Sequence, residues 1–533
     1  MEPTPQSAKP AKFPTISRFC RALFSWKTLR RCLVGLAVLI TLIALYYTEE
    51  GWRGKRAWEN YRRQLVAQGV RLDLMAYVPP PAPDDQNFAM TPFLAPVLDF
   101  NPQPLQPGQS MWRDTNGWNR AKDFAQGITF EPGSKPGAGS VFPVFNLELD
   151  LEFPLRTLRG QSNSGVSAGP FSSRAAAAAE VLKAFETYNP VLDELRVASR
   201  RPYSRFNVDY AAEDPASILL PHLGLLGRID AVLVYRASAG LAAGKTDAAF
   251  DDVELMLFLQ GSVQSEPIVI SHLVRLRMLQ NTARVIREGL AAHAWSDQQL
   301  QKIEAELGGL RLLKDMERSL NAERAAIGNK MFELVRNQRP NYFEDQLGVG
   351  PWAFRLFPRG WTYFEQINYN VMLDVERPGF DAALGRVYPR IADKNAAEVG
   401  QLLAGDIYSR IWHHRLFSTV IMPFEDGVFQ KFAAGQTAVD ECAVACALER
   451  FHLANVKYPE SLDALVPKFI AAVPHDVITG DPLKYHLTGD GQFIIYSVGW
   501  NETDDGGKIV MSADGKEIDA TQGDWVWPAY EKK

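Results

Sequence analysis

An uncharged apolar run at positions 32–48, CLVGLAVLITLIALYYT, limits what this chain can fold into more than any other feature. Seven cations stand before it (Lys9, Lys12, Arg18, Arg21, Lys27, Arg30 and Arg31), against one acid, Glu2. As a helix at 1.5 Å per residue the run covers about 25 Å, close to the ~30 Å of a bilayer's hydrocarbon core. Arg30 and Arg31 can snorkel at one end, while Tyr46, Tyr47 and Trp52 suit the interface at the other. This pattern predicts a single-pass inner-membrane protein, with residues 1–31 a cytoplasmic leader and the bulk of the chain periplasmic. Arg53, Lys55, Arg56, Arg62 and Arg63 also follow the run, after Glu49 and Glu50, and reduce the charge asymmetry. A cleaved signal peptide would need a small-residue site after the apolar core, and Tyr46-Tyr47-Thr48-Glu49-Glu50 offers none. Cys32 follows Leu29-Arg30-Arg31 and fits no lipoprotein acylation site. An uncleaved signal anchor is therefore expected at 32–48.

With 533 residues, 46% hydrophobic, the part beyond the run can bury two or three globular cores. Net charge is −5 and no basic tract lies outside the flanks of the run, so a nucleic-acid partner is not expected. Of the four cysteines, Cys442 and Cys446 stand one helical turn apart in an apolar stripe. That spacing strains a disulfide, and buried free thiols are expected there.

Along the chain, residues 49–108 divide into a juxtamembrane amphipathic helix over 52–70 and a proline-rich stretch over 78–108. The proline-rich stretch suits a stiff spacer or a surface strap. Residues 109–172 are irregular, with short strands expected at 128–130 and 141–153. Residues 173–434 read as an α-helical domain, with helices expected over 175–197, 216–243, 297–313 and 314–336. Within it residues 340–392 read as less regular, with many aromatics and prolines, before a long helical stretch expected over 395–454. Gly244 is expected to close one helix, and Ser296 or Asp297 to cap another. The region 236–259 resembles a single helical hairpin of a tetratricopeptide-like repeat, without a second copy at a fixed period. Residues 435–533 change character. Tyr458-Pro459 ends a helix, and Thr488-Gly489-Asp490-Gly491 signals a hairpin between strands at 483–487 and 492–498. A second turn is expected at Asp514-Gly515. The fold expected is mainly α, with a C-terminal helix and small antiparallel β-sheet.

That last block carries a connected text: Ala447-Leu448-Glu449-Arg450-Phe451-His452-Leu453-Ala454 leading to Tyr458-Pro459, then Leu462-Asp463-Ala464-Leu465-Val466-Pro467. Pro474-His475-Asp476, Gly480-Asp481-Pro482-Leu483-Lys484-Tyr485 and Tyr496-Ser497-Val498-Gly499 complete it. Over about residues 436–507 it resembles the globular head of the major pseudopilins of type II secretion systems. The resemblance implies a helix followed by a three- or four-stranded sheet. It also implies a calcium loop after the serine-containing strand, for which Asn501, Asp504 and Asp505 could supply the hard oxygen ligands. A solvated acidic turn is the plainer reading of those three residues. The chain departs from a pseudopilin at its anchor. Gly35 lies inside the apolar run and Ile40 stands where the processing motif has glutamate. The whole chain resembles bacterial membrane-anchored proteins that join an α-helical middle to such an end.

Other motifs are weak in their contexts. Gly165-Val166-Ser167-Ala168-Gly169 has the nucleophile-elbow spelling, but polar loop residues precede it and Pro170 follows. Gly240 to Thr246 evokes a phosphate loop, one residue short and after a helix where a strand is required. His413-His414 are adjacent, so a helix points them in different directions. His222 and His272 lie among leucines as core residues. Asp251-Asp252 reads as a solvated pair. No catalytic residues and no cofactor are assigned. The expectation is a membrane-tethered envelope protein for protein interaction or assembly, with a link to secretion. Its alternative is an envelope hydrolase with a polar cleft between 109–172 and the helical domain.

Overall fold

The structure, a computed structural model, describes residues 26–101, 105–128, 148–160, 170–338, 357–422, 427–513 and 518–528. The leader up to residue 25, the Gly165–Gly169 motif and the Asp514-Gly515 turn lie outside the described residues. The protein is mainly helical, with small antiparallel sheets near its C-terminal end.

Helix α1 runs unbroken from Trp26 to Ala67, so the expected anchor and the expected juxtamembrane helix are one element. Leu33, Val34 and Leu39, spread around the helix, are 56%, 58% and 53% exposed, so this half has no side turned to a core. It is apolar and long enough to cross a membrane, with a mean hydropathy of 2.0 over its best window. A similar stretch at Pro215–Ala242 is 56% buried and serves as a core helix. In the second half of α1, Glu50, Gly54, Trp58 and Leu65 form a buried stripe. The stripe packs on helix Arg359–Glu376, which appears below as α12.

At that seam two glycines let backbones touch. A Cβ on Gly54 would stand 2.3 Å from the Gly360 carbonyl oxygen, and one on Gly360 2.0 Å from that of Glu50. Only hydrogen fits at either position. Further along, the Tyr61 hydroxyl donates to Asp374 Oδ2 at 2.6 Å, and Arg324 pairs with Asp374 at 2.7 Å.

The proline-rich segment differs from a free spacer. It makes a chain of short 3-10 turns, and Phe88, Phe93, Leu94 and Val97 are fully buried. Phe88 meets Phe258 edge to face at 4.8 Å, and Arg205 Nε donates to the Pro79 carbonyl at 3.0 Å. The prolines stop regular structure, while the aromatic residues between them are large enough to anchor the strap in the core. Residues 109–172, expected to be irregular or extended, hold helices α2 (Thr115–Gln126) and α3 (Glu152–Gly160) among the described residues. Asp114 caps α2 by accepting from the Gly117 amide at 2.8 Å. The strand expected over 141–153 is corrected at its described end, where Glu152 and Phe153 are helical. Residues 129–147 lie outside the described residues.

The helical middle contains α4 (Arg174–Ala184), α5 (Asn189–Ala198), α6 (Pro221–Ala242), α7 (Thr246–Ser262), α8 (Val269–Ala291), α9 (Asp297–Gly308), α10 (Leu312–Ala325) and α11 (Phe332–Gln338). The helix expected over 175–197 is split by a 3-10 turn just before Pro190. Gly244 closes α6 at φ +70°, and Ser296 caps α9 in a reciprocal box with Gln299. Between α10 and α11 a π turn spans Ala326–Met331. The Gly328 carbonyl there accepts from Gln366 and Asn370 of α12 (Arg359–Glu376), at 2.9 and 3.0 Å. Helix α12 stands where the sequence was read as irregular.

A two-stranded hairpin follows, β1 (Phe380–Asp381) with β2 (Arg386–Val387). The long helix expected over 395–454 is four pieces: α13 (Pro389–Leu403), α14 (Ile407–Trp412), α15 (Leu416–Ile421) and α16 (Val428–Asn455). Gly405, His414 and Gly427, all at positive φ, punctuate it. After α16 come β3 (Lys484–Leu487), β4 (Phe493–Ser497), β5 (Ile509–Met511), β6 (Ile518–Gly523) and β7 (Trp525–Trp527). The β3–β4 hairpin forms as expected, with Leu487 opposite Phe493, and β7 adds to β4 in the order β3-β4-β7. A boundary at 434/435 would fall inside α16, whose residues share one hydrophobic core with both the helices before it and the sheet after it.

Candidate functional site

A cleft of about 610 Å³ opens where the helical middle meets the C-terminal block. Its floor is one face of α16, where Gln436, Asp440, Ala443 and Val444 recur at helical spacing. The end of α9, the turn into α10, the β1–β2 turn and residues 470–477 form the walls. Small residues keep it open: Ala305, Gly308, Gly309, Ala382, Ala471 and Ala472 leave the volume unfilled. Charged residues line it as well, namely Glu304, Arg311, Lys314 and Asp440.

Several of these groups are tied down. Gln436 accepts from the Leu312 amide at 2.8 Å and donates to Asp440 Oδ1 at 3.0 Å. Burial pushes the Asp440 carboxyl up to about 7, against the opposing pull of Gln436 and Arg311. Glu304 accepts from Arg450 at 2.8 Å, and Arg450 also reaches Asp297 at 2.9 Å. The lining holds a near-neutral acid, the cations Lys314 and Arg311, the latter donating to the Gly308 and Leu310 carbonyls at 2.8 and 2.7 Å, and apolar walls, with no hydroxyl or thiol nucleophile among the described lining residues. Such a set binds more readily than it attacks.

Behind the floor, α16 presents Glu441 toward the sheet. Burial drives its carboxyl well above the usual range, and nearby Asp476 and Asp440 add to the shift. Asp476 is buried and accepts from the Ser497 hydroxyl at 2.8 Å, the Ile478 amide at 2.8 Å and the Val498 amide at 3.0 Å. This carboxylate joins the turn at Pro474-His475-Asp476 to β4.

Toward the other end of α16, His293, Glu449 and His452 each place a ligand atom within 4.8 Å of one another. His293 follows α8 at φ +48°, a position that favours glycine. Its Nδ1 lies 2.7 Å from Glu449 Oε1, and the Tyr458 hydroxyl donates to Oε2 at 2.9 Å. The His452 ring stacks between the other two, 5.2 Å from His293 and 4.7 Å from Tyr458. Ligands of one zinc ion stand about 3.3 Å apart when the bonds are ~2.0 Å. The 2.7 Å contact is shorter, and both carboxylate oxygens are engaged. His293 and Glu449 form a hydrogen-bonded staple between the helical middle and the C-terminal block, with the His452 ring stacked beside it.

The loop expected to bind calcium is also self-satisfied. Asn501 donates its amide to Asp505 Oδ2 at 3.0 Å and accepts from the Thr503 amide at 3.0 Å. Asp504 accepts from the Gly506 amide and the Tyr496 hydroxyl, and faces Lys484 at 3.6 Å. Those donors hold the Asp504 carboxyl below its ordinary value, the Gly506 amide first. Buried Asp524 binds the loop's backbone through the amides of Asp505, Gly507 and Lys508. Asn501 and Asp505 are brought together, while Asp504 faces Lys484.

The remaining residues singled out in the sequence are structural here. His222 lies 2.7 Å from a Glu266 oxygen, His272 lies 2.9 Å from the Glu266 carbonyl, and both are buried. Asp252 pairs with Arg196 and Arg236, while Asp251 is exposed. His414 stacks on Phe364 at 5.0 Å, and His413 is exposed. Cys442 and Cys446 are buried free thiols. Sequence reasoning missed Asp440, Glu441, Asp476 and His293. The available signal was the acid pair Asp440-Glu441 in the middle of an otherwise apolar stretch of sequence.

Comparison of the chain with protein-family models, curated proteins and solved structures finds no match to any of them.

Proposed function

We propose that this chain is a single-pass membrane-anchored protein whose body, on the extracytoplasmic side, holds another envelope protein in the cleft over α16. One observation carries the reading. The exposed apolar half of α1 continues without a break into the half that packs on α12, so the body is fixed rigidly to the span. The order of α16 followed by the β3-β4-β7 sheet supports kinship with pseudopilin heads and hence an assembly role related to secretion. The small apolar walls and charged residues of the cleft suit a protein segment with exposed side chains of both kinds. A photo-crosslinking residue at Lys314 or Ala472, in native membranes, is expected to yield one discrete adduct with another envelope protein. The same residue at Val197, 69% exposed on α5, is expected to yield none. Cleft positions that crosslink no better than Val197 would end this reading.

The hydrolase reading retains one favourable observation, the Asp440 carboxyl held near neutrality. It places the chemistry in the α16 cleft rather than beside residues 109–172. Asp440→Asn would abolish turnover of ester, amide or glycoside substrates, and a wild-type chain inert on all three classes would remove it.

A further inference from the structure

Helix α14 carries large apolar side chains on its outer side. Tyr408 and Trp412, one helical turn apart, are 79% and 81% exposed, and Ile407 beside them is 40% exposed. They stand apart from the ordinary scatter of surface apolar residues because they cluster on one short element. Their place in the fold is fixed by the turn that follows. The His414 ring packs against Trp361 at 5.2 Å and Phe364 at 5.0 Å, in the first turns of α12. Asn368 of α12 donates to the carbonyls of both His413 and His414, at 2.9 and 2.7 Å.

The start of α12 is tied in turn to α1. Gly360 meets the backbone at Glu50 and Gly54, two and six residues beyond the end of the apolar run at Thr48. At 1.5 Å per residue that level is about 3–9 Å past the run. A bilayer's headgroup layer occupies about the same interval, roughly 5–8 Å beyond the hydrocarbon on each side. His414 also feels the Arg53 charge, which lowers its basicity after burial and His413 have done so. The turn that ends α14 thus packs on the first turns of α12 and lies within electrostatic reach of Arg53 of α1, just past the end of the apolar run.

The residues of α1 at that depth have matching chemistry. Trp52 is 60% exposed with the Arg56 guanidinium 5.3 Å from its ring centroid, and Arg53 is half exposed. Aromatic rings with a polar edge and cations beside them are the side chains that settle among lipid headgroups. Of the cations that follow the run, Arg53 already pairs with Glu50 at 2.7 Å, while Arg56 stands over Trp52 with a charge suited to a phosphate.

We propose that Tyr408, Trp412 and Ile407 of α14, with Trp52, Arg53 and Arg56 of α1, form a second membrane contact that lies in the phospholipid headgroup layer beside the span. The proposal rests on the anchored reading of α1. The occupant is the lipid of the same leaflet, because the patch is joined to the span at headgroup depth through Gly360 and His414. The body is then held at two points, the span and α14.

The test uses the full chain in nanodiscs of phosphatidylcholine and phosphatidylglycerol, with Cys20 and Cys32 changed to serine. Cys442 and Cys446 stay in place, since both are buried. A fluorescent label is placed at Leu39→Cys, Tyr408→Cys, Trp412→Cys or Leu384→Cys in turn. Leu384, 59% exposed, sits past the far end of α12, about 27 Å along that 18-residue helix. The Leu39 label is expected to lose most of its emission to a nitroxide buried in the lipid chains. The Tyr408 and Trp412 labels are expected to lose it to a nitroxide on the headgroup, and the Leu384 label only to aqueous iodide. A Leu39 label outside the lipid would overturn the anchored reading itself. A Leu39 label in lipid, with the α14 labels quenched by iodide as Leu384 is, would overturn the second contact alone. Labels on α14 shielded from lipid and water alike would assign the patch to a second protein and equally overturn it.

Discussion

Small residues do opposite things in two parts of this molecule. In the seam between α1 and α12, Gly54 and Gly360 bring two backbones into direct contact and leave no space. In the cleft over α16, Gly308, Gly309, Ala471 and Ala472 leave about 610 Å³ open. A Cβ at Gly308 would meet nothing within 4 Å, whereas at Gly360 it would meet backbone at 2.0 Å. Lack of a side chain therefore seals a joint when the helix axes can close on each other. It makes a vacancy when other elements hold the walls apart. Around the cleft those elements are the Gln436–Leu312 bond and the Arg450 links to Glu304 and Asp297.

The sharpest way to break this contrast is Gly360→Val. No rotamer relieves a backbone clash, so a loss of about 3 kcal/mol or more is expected in a chemical unfolding curve of the detergent-solubilised chain. A loss under ~1 kcal/mol would show that the seam is not closed. Next in size is the pH dependence of the cleft floor. Burial raises the Asp440 carboxyl from 3.8 to about 7, so the folded chain keeps a proton that the unfolded chain releases. That contribution is fully present below about pH 4 and is lost as pH rises through about 7. Asp440→Asn should flatten this part of the stability profile by on the order of 1 kcal/mol, reduced because the group borders an open cleft. An unchanged slope would mean that Asp440 ionises freely.

Tyr61→Phe removes the hydroxyl that donates to Asp374 and should weaken the seam by about 1 kcal/mol, read in the same unfolding assay. Gly308→Ala should go the other way, raising stability by about 0.5–1 kcal/mol, because helical glycine is disfavoured and the added methyl meets open space. Smallest of all, Ala472→Trp should change stability by no more than about 0.5 kcal/mol while it fills the cleft and suppresses crosslinking there. If it destabilises as strongly as Gly360→Val, the cleft is not an open space.

Local pattern was enough for the elements that local chemistry decides. The uncharged run, the Ser296 cap, the Gly244 stop and the Thr488–Gly491 hairpin turn are each written within a few residues. The buried strap was not legible, because Phe88 and Phe93 are held by Phe258 and Phe124, far along the chain, rather than by any periodicity of their own. Helix α12 was hidden for a related reason. It is stabilised by α1 and by the π turn at Gly328, and its aromatic and amide residues look irregular without those partners. The cleft was least legible. It is assembled from residues near 304–314, 436–444 and 470–477, none of which carries a motif. The acid pair Asp440-Glu441 reads as a fault in an apolar stretch until the α9–α10 turn is placed on the side of Asp440 and the sheet on that of Glu441.

On the anchored reading of α1, its unbroken course also makes the molecule a lever. In a bilayer, the tilt of a span follows the thickness of the hydrocarbon around it. A swivel between membrane and body would absorb such a tilt, but α1 continues without interruption and is clamped to α12 by two glycines. A tilt of about 10° therefore carries the far end of α12, ~27 Å away, sideways by about 5 Å. The side of the body with Phe380 and Leu384 would register changes in lipid composition that never reach it directly.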